Sequence, residues 1–114
     1  MTSSFKVTIL NALSEMKAHN INDLAVAQLT DITDHMIIAT GTSTTHVRSI
    51  SEAILKDMKN LNIDPIGIEG ENNAEWILID FGSTIVHVML PSSRSFYNLE
   101  KLWATFDMDE AISA

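Results

Sequence analysis

The chain has 114 residues, a length typical of one domain, and its 15 acidic and 7 basic residues give a formal net charge of −8. It contains no cysteine, which excludes a disulfide framework, a thiol nucleophile and a thiolate zinc site. The acidic balance argues against binding to nucleic-acid phosphates or anionic membranes and favours a basic partner.

The N-terminal end carries no recognisable targeting segment. Residues 1–20 lack a basic start followed by a long apolar stretch, and no apolar run in the chain approaches the roughly 20 residues of a membrane span. We therefore expect a cytoplasmic protein.

Apolar residues at helical spacing predict a first helix over residues 5–18. They are Phe5, Ile9, Leu13 and Met16.

Two strands and a second helix are predicted next. Weak alternation predicts a strand over residues 24–29, and a short apolar run predicts a buried strand over residues 36–40. Ser43 is placed to cap a helix that closes at Asn62 and Pro65. The helix has an apolar stripe at i, i+3, i+4 spacing. This stripe consists of Val47, Ile50, Ile54, Met58 and Leu61.

Three further strands follow the second helix. A strand over residues 66–69 completes a strand–helix–strand order, which predicts a parallel pair. Strands over residues 75–81 and 84–90 flank Gly82 and Ser83, and glycine at the first central position suits a two-residue hairpin turn.

The last helix and a tail complete the predicted domain. Ser92 or Ser93 caps a helix that runs to Trp103. We expect residues 1–104 to form a single α/β domain of α+β-like character, and residues 105–114 to form a short acidic tail. The predicted order is αββαββα, with a five-stranded mixed sheet and three helices.

The predicted hairpin turn determines which residues share a face of the sheet. One face is almost wholly apolar and is assigned to the core, while the other mixes apolar residues with a carboxylate and an imidazole. The predicted cross-strand pairs on this second face are Trp76 with Met89, Leu78 with His87, and Asp80 with Ile85. Either helices cover this face, or it is partly open and binds a partner.

The sequence offers only weak candidates for a phosphate-binding or metal-binding site. Residues 41–45 join a strand to a helix, where backbone N–H groups can hold a phosphate, and Arg48 is the candidate clamp. The glycine spacing and lysine of a P-loop are missing. Asp31, Asp34 and Asp80 can gather around a divalent ion, although their spacing does not require it. The histidines, which lack metal-binding spacing, are His19, His35, His46 and His87.

Five segments in order are more specific than any single motif. They are Ile32–Ser43, Gly67–Gly70, Glu75–Gly82, Val86–Val88 and Phe96–Trp103. Together they resemble the ribosomal silencing factor family, also called RsfS or iojap, and the resemblance extends from about Asp23 to Trp103.

This resemblance implies a function. Family members bind the large ribosomal subunit through a protein on its intersubunit face, block joining of the small subunit and so repress translation. A role in large-subunit biogenesis is also attributed to them. The implied fold is nucleotidyltransferase-like but without that catalysis. We therefore expect no enzymatic activity, cofactor or metal, and a basic ribosomal protein as the partner rather than direct, specific nucleic-acid binding.

The candidate docking site joins the second face of the sheet to the last helix. Partner contacts are expected from Trp76, Leu78, Asp80, His87 and Met89, with Tyr97, Glu100 and Lys101 at the rim. Two alternatives stay open. One is a structural homodimer that buries this face on a second copy. The other is a metal-dependent, nucleotidyltransferase-like enzyme that uses Asp34 and Asp80.

Overall fold

One mixed sheet organises the protein, and the computed structural model describes the backbone of residues 2–97 and the side chains of residues 5–95. The helices are α1 (Thr2–Glu15), α2 (Thr44–Lys59) and α3 (Pro91–Tyr97). The strands are β1 (His19–Ala25), β2 (His35–Thr40), β3 (Gly67–Glu69), β4 (Trp76–Asp80) and β5 (Thr84–Met89). The order is αββαβββα, so the predicted order αββαββα is one strand short, although all five strands were predicted individually.

The strands lie side by side in the order β1-β2-β5-β4-β3. β2 and β5 are parallel, and the other neighbouring pairs are antiparallel. The prediction that β2 and β3 form the parallel pair is wrong, because the β4–β5 hairpin lies between them. All six residues of β5 are buried, which suits this strand to the centre of the sheet.

The predicted hairpin register is confirmed. Trp76 pairs with Met89 and Leu78 pairs with His87 across β4 and β5. Gly82 has a φ of +90°, in the left-handed region that a primed turn requires at its first central position. The faces deduced from the sequence are therefore the faces of the folded sheet.

The second helix begins at the predicted cap. The Ser43 hydroxyl accepts a hydrogen bond from the His46 backbone N–H at 3.1 Å, which satisfies one orphan donor of the first turn. Leu61 was predicted to continue the apolar stripe, but it is 47% exposed because α2 ends at Lys59. The stripe that is buried consists of Val47, Ile50, Ile54 and Met58.

Two other boundaries differ from the prediction. The first strand covers His19–Ala25 rather than residues 24–29, because the chain turns after it: the Leu29 N–H donates to the Val26 carbonyl at 2.9 Å. The last helix begins at Pro91, ahead of Ser92 and Ser93. Proline suits the first helical position, since its missing N–H would have no partner there.

Both long helices pack on the same face of the sheet, which we call the helix-covered face. Its core joins both helices to inward side chains of β2, β4 and β5, and Phe5 of α1 meets Phe81 edge to face at 6.3 Å between ring centroids. The opposite face, called the second face, has a smaller buried cluster of Val26, Met36, Ile38 and Met89. None of the helices within residues 2–97 is long and apolar enough to cross a membrane.

Candidate functional site

The second face presents a short partly exposed surface on β4. Trp76, Leu78 and Asp80 alternate along this strand and all point to the second face, where each keeps part of its surface accessible. We call these three residues the β4 surface. His87 and Met89 share the face, as predicted, but they are 4% and 0% exposed. Burial leaves these two with little surface to offer a partner, so their direct contact with one stays a prediction.

Trp76 and His87 are linked by a hydrogen bond between side chains. The indole Nε1–H donates to His87 Nδ1 at 2.9 Å, and the ring centroids lie 5.7 Å apart. Since Nδ1 accepts, the proton of the neutral imidazole resides on Nε2, which is buried and has no hydrogen-bond partner among the described residues. This diagonal contact was not predicted, although the hairpin register places the two residues as diagonal neighbours.

Burial also determines the charge of this imidazole. It lowers the pKa of His87 from the ordinary 6.5 to about 4, because the charged form loses its hydration. His87 is therefore neutral at physiological pH. A neutral ring can accept the indole hydrogen bond, whereas a doubly protonated ring has no lone pair for it.

Carboxylates lie beside the β4 surface. Glu69 is exposed on β3, directly across from Leu78. Asp80 is part of the surface itself, and its Oδ1 accepts a hydrogen bond from the Gly82 N–H at 2.8 Å. Glu69 and Asp80 therefore give the apolar centre of the β4 surface an acidic border.

The turn before β4 needs glycine at position 70, where φ is +88° and a Cβ would overlap the Trp76 carbonyl oxygen.

The predicted rim lies mostly beyond the described part of the chain. Tyr97 is the last residue of α3, and its side chain is outside the described set. Glu100 and Lys101 are outside the described residues, as are the predicted end of the helix at Trp103 and the tail over residues 105–114. Their part in the docking site stays a prediction.

The phosphate-clamp interpretation of Arg48 is not supported. Its guanidinium Nη2 donates to the backbone carbonyls of Glu71 and Asn72 at 3.1 and 3.2 Å. Arg48 thus anchors the loop between β3 and β4 to α2. Ser43 in the preceding stretch serves as the helix cap.

The described residues also offer no support for the carboxylate cluster. Within residues 2–97, no three histidine, cysteine or acidic side chains gather as metal ligands would. Asp34 instead takes part in a turn contact, because its backbone N–H donates to the Ser83 carbonyl at 3.0 Å. Asp31 is exposed at the same turn, and Asp80 serves the hairpin.

His46 has a structural role that the sequence did not predict. Its Nδ1 accepts from the Thr42 backbone N–H at 2.9 Å, so its Nε2 donates to the Met16 carbonyl at 2.7 Å. The imidazole thereby links the end of α1 to the start of α2. A histidine in the first turn of a helix is the only sequence signal for such a bridge.

Known proteins resemble this chain over most of its length. The family model described as ribosomal silencing factor during starvation (RsfS) matches residues 2–113. A ribosomal silencing factor RsfS from Chromobacterium violaceum is 37% identical over 94 residues, which are 82% of this chain and 77% of that protein. A mouse protein named mitochondrial assembly of ribosomal large subunit protein 1 is 34% identical over 117 residues, covering 97% of this chain and 50% of that protein.

A solved structure extends the likeness to the fold. A crystal structure of a protein from Chromobacterium violaceum matches with a TM-score of 0.87 and 34% identity, over 90% of this chain and 85% of that one. The resemblance predicted from the sequence is therefore confirmed in both sequence and fold.

Proposed function

The chain belongs to the ribosomal silencing factor family, and from this premise we propose that it binds the large ribosomal subunit and blocks joining of the small subunit, thereby repressing translation. The proposed partner is a basic protein on the intersubunit face of the large subunit. The observation that carries the proposal is the β4 surface, where Trp76 and Leu78 stay partly exposed beside the carboxylates of Asp80 and Glu69.

The chemistry of this surface suits a basic protein partner. Tryptophan is the residue type most enriched among interface hot spots, and the hydrogen bond to His87 restrains the indole before any partner arrives. The acidic border and the net charge of −8 attract a basic surface over long range and repel exposed phosphates. Apolar contact at the centre then provides the affinity that survives screening by salt.

Blocking requires no catalysis under this proposal. A domain of about 100 residues has a radius of gyration of about 13 Å, too large to fit between two closely packed subunits. Occupation of the intersubunit face therefore excludes the small subunit by volume alone. The protein would act in the cytoplasm, where it meets free large subunits.

A second candidate function is assembly of the large subunit. It is favoured by the name of the mouse relative, which refers to assembly of the mitochondrial large subunit. The same docking surface would serve either role. Binding to precursor particles in preference to mature subunits, measured on gradient fractions, would favour assembly, and equal binding would favour silencing.

The first test is co-sedimentation with purified large subunits, with and without small subunits, at low and high salt. We expect binding that weakens as salt rises, together with loss of joined ribosomes. No binding by folded protein to intact subunits would contradict the proposal. A mass that doubles with concentration in that case would favour the homodimer, and stabilisation by a nucleotide with Mg²⁺ would favour the enzyme.

The sharper test is the Trp76→Ala variant. We expect it to weaken binding by about 2 kcal/mol or more, roughly 30-fold, because truncation removes the apolar centre of the contact. Leu61→Ala is the matched control, since it truncates an apolar side chain that is 47% exposed just beyond the end of α2. Circular dichroism confirms folding of both. Wild-type affinity in folded Trp76→Ala protein would remove the β4 surface from the site.

A further inference from the structure

The β4 surface is too small to form an interface alone. A stable protein–protein interface takes about 20–30 residues from each partner, whereas the β4 surface consists of three partly exposed residues. A partner bound there must therefore contact further parts of the molecule. The loop between β1 and β2, residues 26–34, is the described segment that offers such a contact.

This loop lies against the second face. Val26 is buried in the second-face cluster, and Leu29 packs against that cluster from the loop, as Trp76 does from β4. Beyond the other end of β4, the Asp34 backbone N–H donates to the Ser83 carbonyl at 3.0 Å, which ties the loop to the hairpin turn. The loop and the β4 surface therefore border the same apolar cluster and the same turn.

The loop presents an apolar side chain to solvent. Ile32 is 77% exposed, the largest exposed fraction of any large hydrophobic residue whose side chain the structure describes. Its neighbours restrain it, because the Ile32 N–H donates to the Thr30 hydroxyl at 3.1 Å and the side chain of Thr33 is buried. A restrained loop loses less conformational entropy when a partner covers it.

Carboxylates flank this isoleucine. Asp31 and Asp34 are exposed on either side of Ile32, and neither forms an ion pair with another described residue. No lysine or arginine occurs between residues 18 and 47 of the sequence. An apolar side chain between two exposed carboxylates repeats the apolar centre and acidic border of the β4 surface.

We propose that this loop is a second part of the docking site. Ile32 packs against an apolar side chain of the basic ribosomal protein, and Asp31 and Asp34 pair with its lysine or arginine side chains. The inference rests on the proposed function, because it extends the same interface. The carboxylates favour a basic protein over nucleic acid, whose phosphates they repel, and over the same loop of a second copy, which carries like charges.

The test measures affinity for purified large subunits by co-sedimentation. Ile32→Ala should weaken binding at least about fivefold, since it truncates an apolar contact, whereas the matched control Ile66→Ala should stay within about twofold. Ile66 is 74% exposed, and its N–H donates to the Asp80 carbonyl, which extends the β3–β4 ladder. It lies two residues before Ile68, which packs against the helix-covered core, so it points away from the second face.

A pair of charge reversals tests the role of the carboxylates. Asp31→Lys and Asp64→Lys change the net charge equally at exposed positions, so long-range attraction to a basic partner falls by a similar amount in both. Asp31→Lys also places an ammonium group in the proposed contact, and it should weaken binding at least about tenfold, against about threefold or less for Asp64→Lys. Equal affinities of these two variants would refute the assignment.

The outcomes separate this inference from the function on which it rests. If the folded wild type does not bind large subunits, the proposed function fails, and this inference fails with it. If the wild type binds and Trp76→Ala weakens binding, while Ile32→Ala and Ile66→Ala bind equally well, the docking site excludes the loop and only this inference is overturned. Loss of a concentration-dependent dimer in Ile32→Ala protein, with unchanged binding to subunits, would also overturn it. Circular dichroism confirms that each variant is folded.

Discussion

The two faces of β4 differ although adjacent residues of one strand build them. Ile77 and Ile79 point to the helix-covered face and are 1% and 0% exposed. Trp76 and Leu78 point the other way and stay partly exposed. A strand alternates its side chains between faces, so five residues can stabilise the domain on one side and present a surface on the other.

The polar content of the faces separates their roles. Among the described residues, the helix-covered core around β4 and β5 is apolar apart from the buried hydroxyls of Thr84 and Ser51. The second face buries an imidazole whose Nε2 has no hydrogen-bond partner within the described part of the chain, an arrangement that typically costs about 1–3 kcal/mol relative to a satisfied group. An apolar side chain at position 87 would avoid that cost. The imidazole instead restrains Trp76, which fits a surface shaped for recognition rather than for stability.

The largest expected effect comes from truncating one residue on each face. Ile79→Ala should lower the free energy of unfolding by about 2–5 kcal/mol, because it leaves a closed cavity among packed side chains. Leu78→Ala should cost less than half as much, since the space it leaves opens to solvent. Urea unfolding of both variants measures the difference. Equal losses would mean that the second face is as much a core as the first.

Much of this contrast was predictable from local sequence signals. Gly82 implied a two-residue turn, the turn implied the register, and the register implied both faces of β4 and β5. The stripe of α2 and the cap at Ser43 are equally local, and both are confirmed apart from Leu61. Periodicity and turn chemistry act over a few residues, which is why these elements could be predicted.

Long-range features escaped prediction. No local signal places β5 rather than β3 beside β2, because that choice depends on how the whole hairpin docks. The His46–Met16 contact and the Arg94–Thr40 bond join residues that lie 30 and 54 positions apart in the sequence. The partial burial of the predicted docking set also depends on tertiary packing, so the sequence identified the face of His87 but not its accessibility.

A smaller effect should appear as pH dependence on the second face. The pKa of His87 is lowered to about 4 in the folded protein, so between pH 6.5 and 4 the unfolded chain binds the extra proton. Stability is therefore complete above about pH 6.5 and falls as pH drops toward 4, by roughly 3 kcal/mol at most. Urea unfolding across this range measures the slope.

His87→Gln isolates this contribution. Glutamine does not titrate, and its carbonyl oxygen can still accept from the Trp76 indole. Between pH 4 and 6.5, the free energy of unfolding of the variant should therefore depend on pH less steeply than that of the wild type. The difference in slope should correspond to about one proton. Carboxylates titrate in both proteins and cancel. An equal pH dependence in the two proteins would show that His87 is already protonated or solvated. The second face would then be more hydrated than its burial indicates.

The smallest effect should come from loosening the helical layer without touching either face of β4. His46→Ala removes the bridge from Thr42 to Met16 and should cost about 1–2 kcal/mol, since the imidazole loses its exposed contacts with Thr42 and its partly buried hydrogen bond to the Met16 carbonyl. Thr45→Ala, an exposed change in the same helical turn, should stay within about 0.5 kcal/mol. Because the bridge lies on the helix-covered side, affinity for large subunits should not change in His46→Ala protein. A parallel loss of stability and of binding would mean that the helical layer and the β4 surface are coupled, and that the two faces are not independent.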